Sequence, residues 1–167
     1  MTFDYENLKL FYIGKEKING QNFAPLVYKN KDLTTHAAII GMTGSGKTGL
    51  GISLLEEAAI DNIPSIIIDP KGDMGNLLLT FPNLQGSDFE PWIEEQDAIN
   101  NGVTLKEHAQ NTANLWKKGI EGDFQNIQRI EKLKNAADFT IYTPGSNAGV
   151  QISILSSFKA PNKEVVE

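Results

Sequence analysis

Eight consecutive residues concentrate most of the chemistry this sequence can offer: Gly41–Met42–Thr43–Gly44–Ser45–Gly46–Lys47–Thr48. The pattern G-x-x-x-x-G-K-[ST] is that of a phosphate-cradling P-loop. Its glycines let the backbone curl so that successive amide N–H groups point inward at phosphate oxygens. Gly44 and Gly46 keep side chains out of that space, and the helix that follows adds the positive end of its dipole. Lys47 places a point charge on the outer phosphates. Thr48 offers a hydroxyl to the Mg²⁺ that bridges them. The nucleotide-binding set is therefore Gly41, Thr43, Gly44, Ser45, Gly46, Lys47, Thr48 and Gly49.

Asp69 is the second candidate. Ser65–Ile66–Ile67–Ile68 delivers it to the carboxyl end of an apolar run, and in open α/β sheets ligands bind at that edge. It is expected to join Lys47 as a catalytic residue and Thr48 as a Mg²⁺ ligand, directly or through water. The plainer reading is that Asp69 caps the loop Pro70–Lys71–Gly72–Asp73. Pro70 follows it rather than a second carboxylate, so no general base for water is adjacent. Lys71 and Asp73 read as solvated loop charges.

To position these groups the chain needs a strand, a turn and a helix in succession. His36–Ile40 reads as a buried parallel strand, Thr48–Ile60 as a helix, and Ser65–Asp69 as a second buried strand, which together make a βαβ unit. Residues 1–35 form a small β-rich lead-in, with β-prone runs at Leu10–Ile13 and Leu26–Tyr28. Asn19–Gly20 between them is a hairpin signal, set in a loop longer than a tight turn. Residues 36–160 are expected to be a partial P-loop NTPase domain. Residues 91–137 carry apolar positions at helical spacing and are expected to be a helical insertion. Phe139–Thr143 and Gln151–Leu155 read as strands, and 161–167 as a mobile tail. The fold class is α/β, a partial P-loop NTPase parallel sheet with the lead-in and the insertion.

Composition narrows the field. The 167 residues carry a net charge of -6 and no cysteine, which excludes disulfides, thiolate metal sites and cysteine nucleophiles. An acidic surface repels a phosphate backbone on average. No apolar run approaches the ~18 residues that span a bilayer, and the N-terminus lacks signal-peptide character. These features fit a cytoplasmic protein with no membrane partner. His36 reads as a strand-edge residue and His108 as a solvated one. Trp92 and Trp116 read as core anchors. Arg129, the sole arginine, reads as part of a solvated helix face rather than an arginine finger.

The stretch His36–Thr48 followed by Ile66–Ile67–Ile68–Asp69–Pro70–Lys71–Gly72–Asp73 resembles the HerA–FtsK superfamily of ATPases, most of all bacterial HerA-type helicases. Asn76–Pro82 and Tyr142–Thr143–Pro144–Gly145–Ser146–Asn147–Ala148–Gly149 strengthen the likeness, which covers most of residues 10–160. The resemblance implies a RecA-like core, a homo-hexameric ring, and the use of ATP with Mg²⁺ to move duplex DNA. It gives Lys47 and Thr48 the P-loop roles and matches Asp69 to the acidic position after the second strand. In that family an Asp-Glu pair on a later strand completes the catalytic site. No such pair follows an apolar run after Asp69, so the chain is expected to be the N-terminal portion of a longer ATPase and inactive alone. On the residues themselves two other readings stay open: a complete small P-loop kinase or other phosphotransferase, and a non-hydrolysing, ATP-gated interaction module.

Overall fold

The computed structural model describes residues 8–152. These residues fall into two compact units divided between Ala137 and Asp138, and the first is mixed α/β.

The first unit opens with an antiparallel hairpin, β1 (Leu10–Ile18) and β2 (Gln21–Lys29). Ile18 pairs with Gln21, so only Asn19 and Gly20 make the turn. Both have positive φ, 52° and 79°, the conformation that a two-residue type I′ turn demands and that Asn-Gly supplies at least cost. The expected long loop is thus a tight turn, and both strands run further than their β-prone cores. Pairing across the turn carries Lys15, Glu16 and Lys17 into the ladder despite their weak strand propensity. Register shifts between Tyr12 and Gly14, and between Glu16 and Lys17, mark bulges. Phe11 and Tyr12 are buried where β1 packs on the first helix.

That helix, α1 (Lys47–Ile60), starts behind Gly46 and is buried over its last turn, Glu57–Ile60. Asn62 takes a left-handed conformation, φ 58°, and the Ile63 N–H returns to the Ala58 carbonyl at 2.8 Å. The Asn30 side-chain amide, just past β2, donates to Asp61 at 3.0 Å.

After a short 3₁₀ segment, Asp73–Leu78, the chain is helical: α2 (Gly86–Phe89), α3 (Glu95–Asn100), α4 (Leu105–Gly122) and α5 (Gln128–Ala136). Thr104 and Glu107 cap α4 reciprocally. The Glu107 N–H donates to the Thr104 hydroxyl at 3.2 Å, and the Thr104 N–H donates to the Glu107 carboxylate at 2.9 Å, satisfying two donors that a helix end otherwise leaves unpaired. Ala109 and Ala113 present a small-residue face to α2, with Leu84 and Phe89 completing the cluster. Phe81 and Phe89 pack with ring centroids 4.8 Å apart. The tryptophans are not the anchors the sequence suggested. Trp92 is 63% exposed and Trp116 56% exposed, and Phe89, Ala109 and Ala113 take the buried positions instead. Trp116 instead lies against Phe89 at 6.0 Å.

The second unit is described as far as Ile152. Tyr142 and Val150 form an isolated parallel bridge, so the expected strand Phe139–Thr143 is reduced to a single pairing. The loop between closes on itself: Thr143 Oγ1 donates to the Ser146 carbonyl at 3.0 Å and accepts from the Gly149 N–H at 3.1 Å. The expected strand Gln151–Leu155 and the tail lie largely outside the described residues.

The parallel sheet is the main departure. Among the described residues the one sheet is the hairpin. His36–Ile40 and Ser65–Asp69 belong to no strand, and Ile40, Ile66 and Ile68 are 92%, 97% and 88% exposed rather than buried. An apolar run becomes a strand only when a neighbour takes up its N–H and C=O groups, and no described segment does so.

The close approach of α2 to α4 sets a test. A Cβ on Gly86 would stand 3.1 Å from the Gln110 backbone, whereas one on Gly119, in the last turn of α4, would meet nothing. Gly86→Ala is expected to destabilise the fold by about 1–3 kcal/mol through overpacking. Gly119→Ala is expected to stabilise it by about 0.5–1 kcal/mol through helix propensity. Urea titration of the two variants side by side checks both signs.

Candidate functional site

The P-loop begins with a glycine that no other residue can replace without movement. A Cβ on Gly41 would lie 2.4 Å from Ser45 Oγ and 3.5 Å from Lys47 Cγ. The loop then turns through Gly44 and Gly46, whose φ values are 78° and 88°, a left-handed region that costs glycine little. The Ser45 N–H closes the turn on the Met42 carbonyl at 3.1 Å. Open space surrounds the Cβ positions of Gly44, Gly46 and Gly49. Lys47 is the first residue of α1, and its ammonium donates to the Met42 carbonyl at 2.7 Å. The lysine therefore lies folded over the mouth of the loop. The whole loop is solvent-accessible. Its open glycine positions and its cation match the shape and charge of a nucleotide's terminal phosphates.

Asp69 sits in a loop of its own making. Its two carboxylate oxygens accept from the Gly72 N–H at 2.9 Å and the Met74 N–H at 2.8 Å. These backbone donors, Met74's first, hold its carboxyl below the usual range, so it is ionised at neutral pH. This is the capping role weighed in the sequence. The loop also touches the P-loop helix: Met74 Cε lies 3.6 Å from where a Cβ on Gly51 would stand. Lys71 pairs with Asp73 on the surface. His36 is exposed and His108 half-buried. Among the described residues no three histidine, aspartate or glutamate side chains gather to hold a metal.

A family model described as the central domain of helicase HerA matches residues 11–158. The chain belongs to this family.

As a HerA-type central domain the chain is a P-loop ATPase domain of the HerA–FtsK class. A curated relative, the type 4 coupling protein DotL of Legionella pneumophila subsp. pneumophila (strain Philadelphia 1), is 35% identical over 81 residues, 42% of this chain. The match spans about a tenth of that protein's length, 10%. No solved structure matches the chain. No helix among the described residues is long and apolar enough to cross a membrane.

Two features of this HerA domain escape a sequence reading, and both lie at the far end of α1. Arg129, expected on a solvated face, is 10% exposed and hydrogen-bonds Glu57, itself 5% exposed. The sole arginine is thereby committed to an internal ion pair. Burial pushes the Glu57 carboxyl upward, and the Tyr12 backbone N–H opposes the shift. Contact with the guanidinium opposes it too. Beside it Glu56 has no hydrogen bond or ion pair among the described residues, and burial pushes its carboxyl up to about 7. The only hint in the sequence is that two adjacent carboxylates stand on an otherwise apolar helix.

Removing the guanidinium strands a buried carboxylate, so Arg129→Ala is expected to cost about 3–5 kcal/mol. Adding Glu57→Gln should recover part of that loss in chemical denaturation. For Glu56 the folded state binds the proton more tightly than the unfolded chain, whose value is near 4.5. Its contribution to stability is therefore complete below about 4.5 and lost as pH rises through about 7. Compared with the parent, Glu56→Gln is expected to gain about 1–3 kcal/mol between pH 4.5 and pH 8. Denaturation midpoints measured across that range would refute this by showing a pH-independent difference.

Proposed function

We propose that the chain is the ATP-binding portion of a HerA-type, DNA-translocating ATPase. The observation that carries this is the glycine-lined P-loop with Lys47 at its mouth, in a chain that belongs to the HerA family. The domain limits follow from the same reading, with 36–160 as the nucleotide-binding domain and 91–137 as its helical insertion. The same reading makes His36–Ile40 and Ser65–Asp69 strands of a parallel sheet.

In this reading the amides of Thr43 to Gly49 cradle the phosphates of ATP. Lys47 exchanges the Met42 carbonyl for a phosphate oxygen, a charge-assisted and therefore stronger partner. The Thr48 hydroxyl and the Asp69 carboxylate hold Mg²⁺, which supplies charge neutralisation to the terminal phosphates when bound. Duplex DNA as the cargo, a homo-hexameric ring and a cytoplasmic location belong to the same proposal, supported by family membership.

Calorimetric titration with Mg·ATP tests it. The chain is expected to bind ATP, and Lys47→Ala to weaken binding about 10- to 100-fold, as loss of a charge-assisted hydrogen bond implies. Equal affinity in the parent and the Lys47→Ala variant would overturn the assignment.

A further inference from the structure

A cavity of ≈ 170 Å³ opens within the first unit, between the buried end of α1, the chain after the 3₁₀ segment, and α4 with α5. Its apolar wall includes Ile60, Phe81, Trp116 and Ile130. An apolar cavity of about 150 Å³ takes one benzene ring, so the space suits a single aromatic ring and little more. Flat rings at the wall favour a flat guest through offset or edge contacts.

Polar groups at the wall fix the charge of that guest. Glu56 and Arg129 both line the cavity. Arg129 is held by its hydrogen bond to Glu57. The remaining polar lining, Asn76, Thr80, Gln125 and Asn126, is uncharged. The other charges nearby are Asp61 on α1, which accepts from Asn30, and Lys132 on α5, whose field acts on Glu57. One carboxylate, Glu56, is left over, and nothing among the described residues pairs with it. A carboxylate is met best by a planar cationic fork, which donates two parallel N–H bonds.

We propose that this cavity is a second binding site, separate from the P-loop, for a small ligand that joins one aromatic ring to an amidinium or guanidinium group. The ring fills the apolar space and the cation pairs with Glu56.

Benzamidine is the probe, and benzamide, its neutral isostere, the control. Trp116 reports binding by fluorescence in a Trp92→Phe background, since Trp92 does not line the cavity. At pH 8 benzamidine is expected to bind saturably and benzamide at least about tenfold more weakly, the worth of one charge-assisted bond. Glu56→Gln should weaken benzamidine about tenfold or more and leave benzamide unchanged, which also shows that the cavity is intact. Because the Glu56 carboxyl sits near 7, benzamidine affinity in the parent should rise about tenfold from pH 6 to pH 8 as the carboxylate ionises. Equal binding of the two probes, indifference to Glu56→Gln, or absence of benzamidine binding would each overturn the proposal. None of these outcomes bears on ATP binding at the P-loop, which is measured separately.

Discussion

Three pieces of this chain, far apart in sequence, meet at a single carboxylate. Glu57 lies on the last turn of the P-loop helix, accepts from the Tyr12 backbone in the hairpin, and pairs with Arg129 in the helical region. A carboxylate out of water is unfavourable unless its lone pairs are met. Each partner is therefore required once the others are in place. The hairpin must present the Tyr12 N–H, and α5 must bring Arg129 across 72 residues of chain. The arrangement adds little net stability over an apolar equivalent, but it punishes any other docking of these elements. α1 carries that constraint forward. It has 14 residues and so spans about 21 Å, with the phosphate loop at one end and the fixed junction at the other.

Adjacent positions on that helix show how much depends on direction alone. Glu56 and Glu57 differ by about 100° around the axis. Glu57 faces the hairpin and Arg129, whereas Glu56 faces the cavity and has no partner among the described residues. Both carboxyls are shifted upward by burial, Glu57 to about 8 and Glu56 to about 7, and only Glu57 has hydrogen-bond partners.

What the sequence revealed was what is local. The P-loop was legible because its shape is made by eight neighbouring residues, and the positive φ values of Gly44 and Gly46 are where the motif requires them. The helices between residues 95 and 136 were legible from apolar periodicity, and Asn19–Gly20 from turn chemistry. What the sequence hid was decided at a distance. Lys15–Lys17 are poor strand formers, enlisted by pairing across the turn. Arg129 reads as a surface residue until Glu57 is brought beside it. Trp116 reads as core until Phe81 and Phe89 are seen to occupy the interior. His36–Ile40 and Ser65–Asp69 have the composition of strands, yet composition supplies no partner for their backbone. For Asp69 the plainer reading, a cap on its own loop, is the one observed. Its two N–H donors were not legible, because they come from the fold of that loop.

The hairpin and the isoleucine runs also differ in how they meet other molecules of the same chain. A two-stranded sheet has two open edges, each a template for a further strand. Here both bulges twist the ladder, Pro25 offers no N–H, and Lys15, Glu16 and Lys17 would have to be desolvated by any strand docking beside them. Ile39–Ile40 and Ile66–Ile67–Ile68 are exposed, β-branched and without an internal charge or proline, although Pro64 and Asp69–Pro70 bracket the second run. Such segments are the ones that aggregate when left without neighbours. The exposed isoleucine runs, rather than the hairpin, are therefore the parts of this chain most open to association with a second copy.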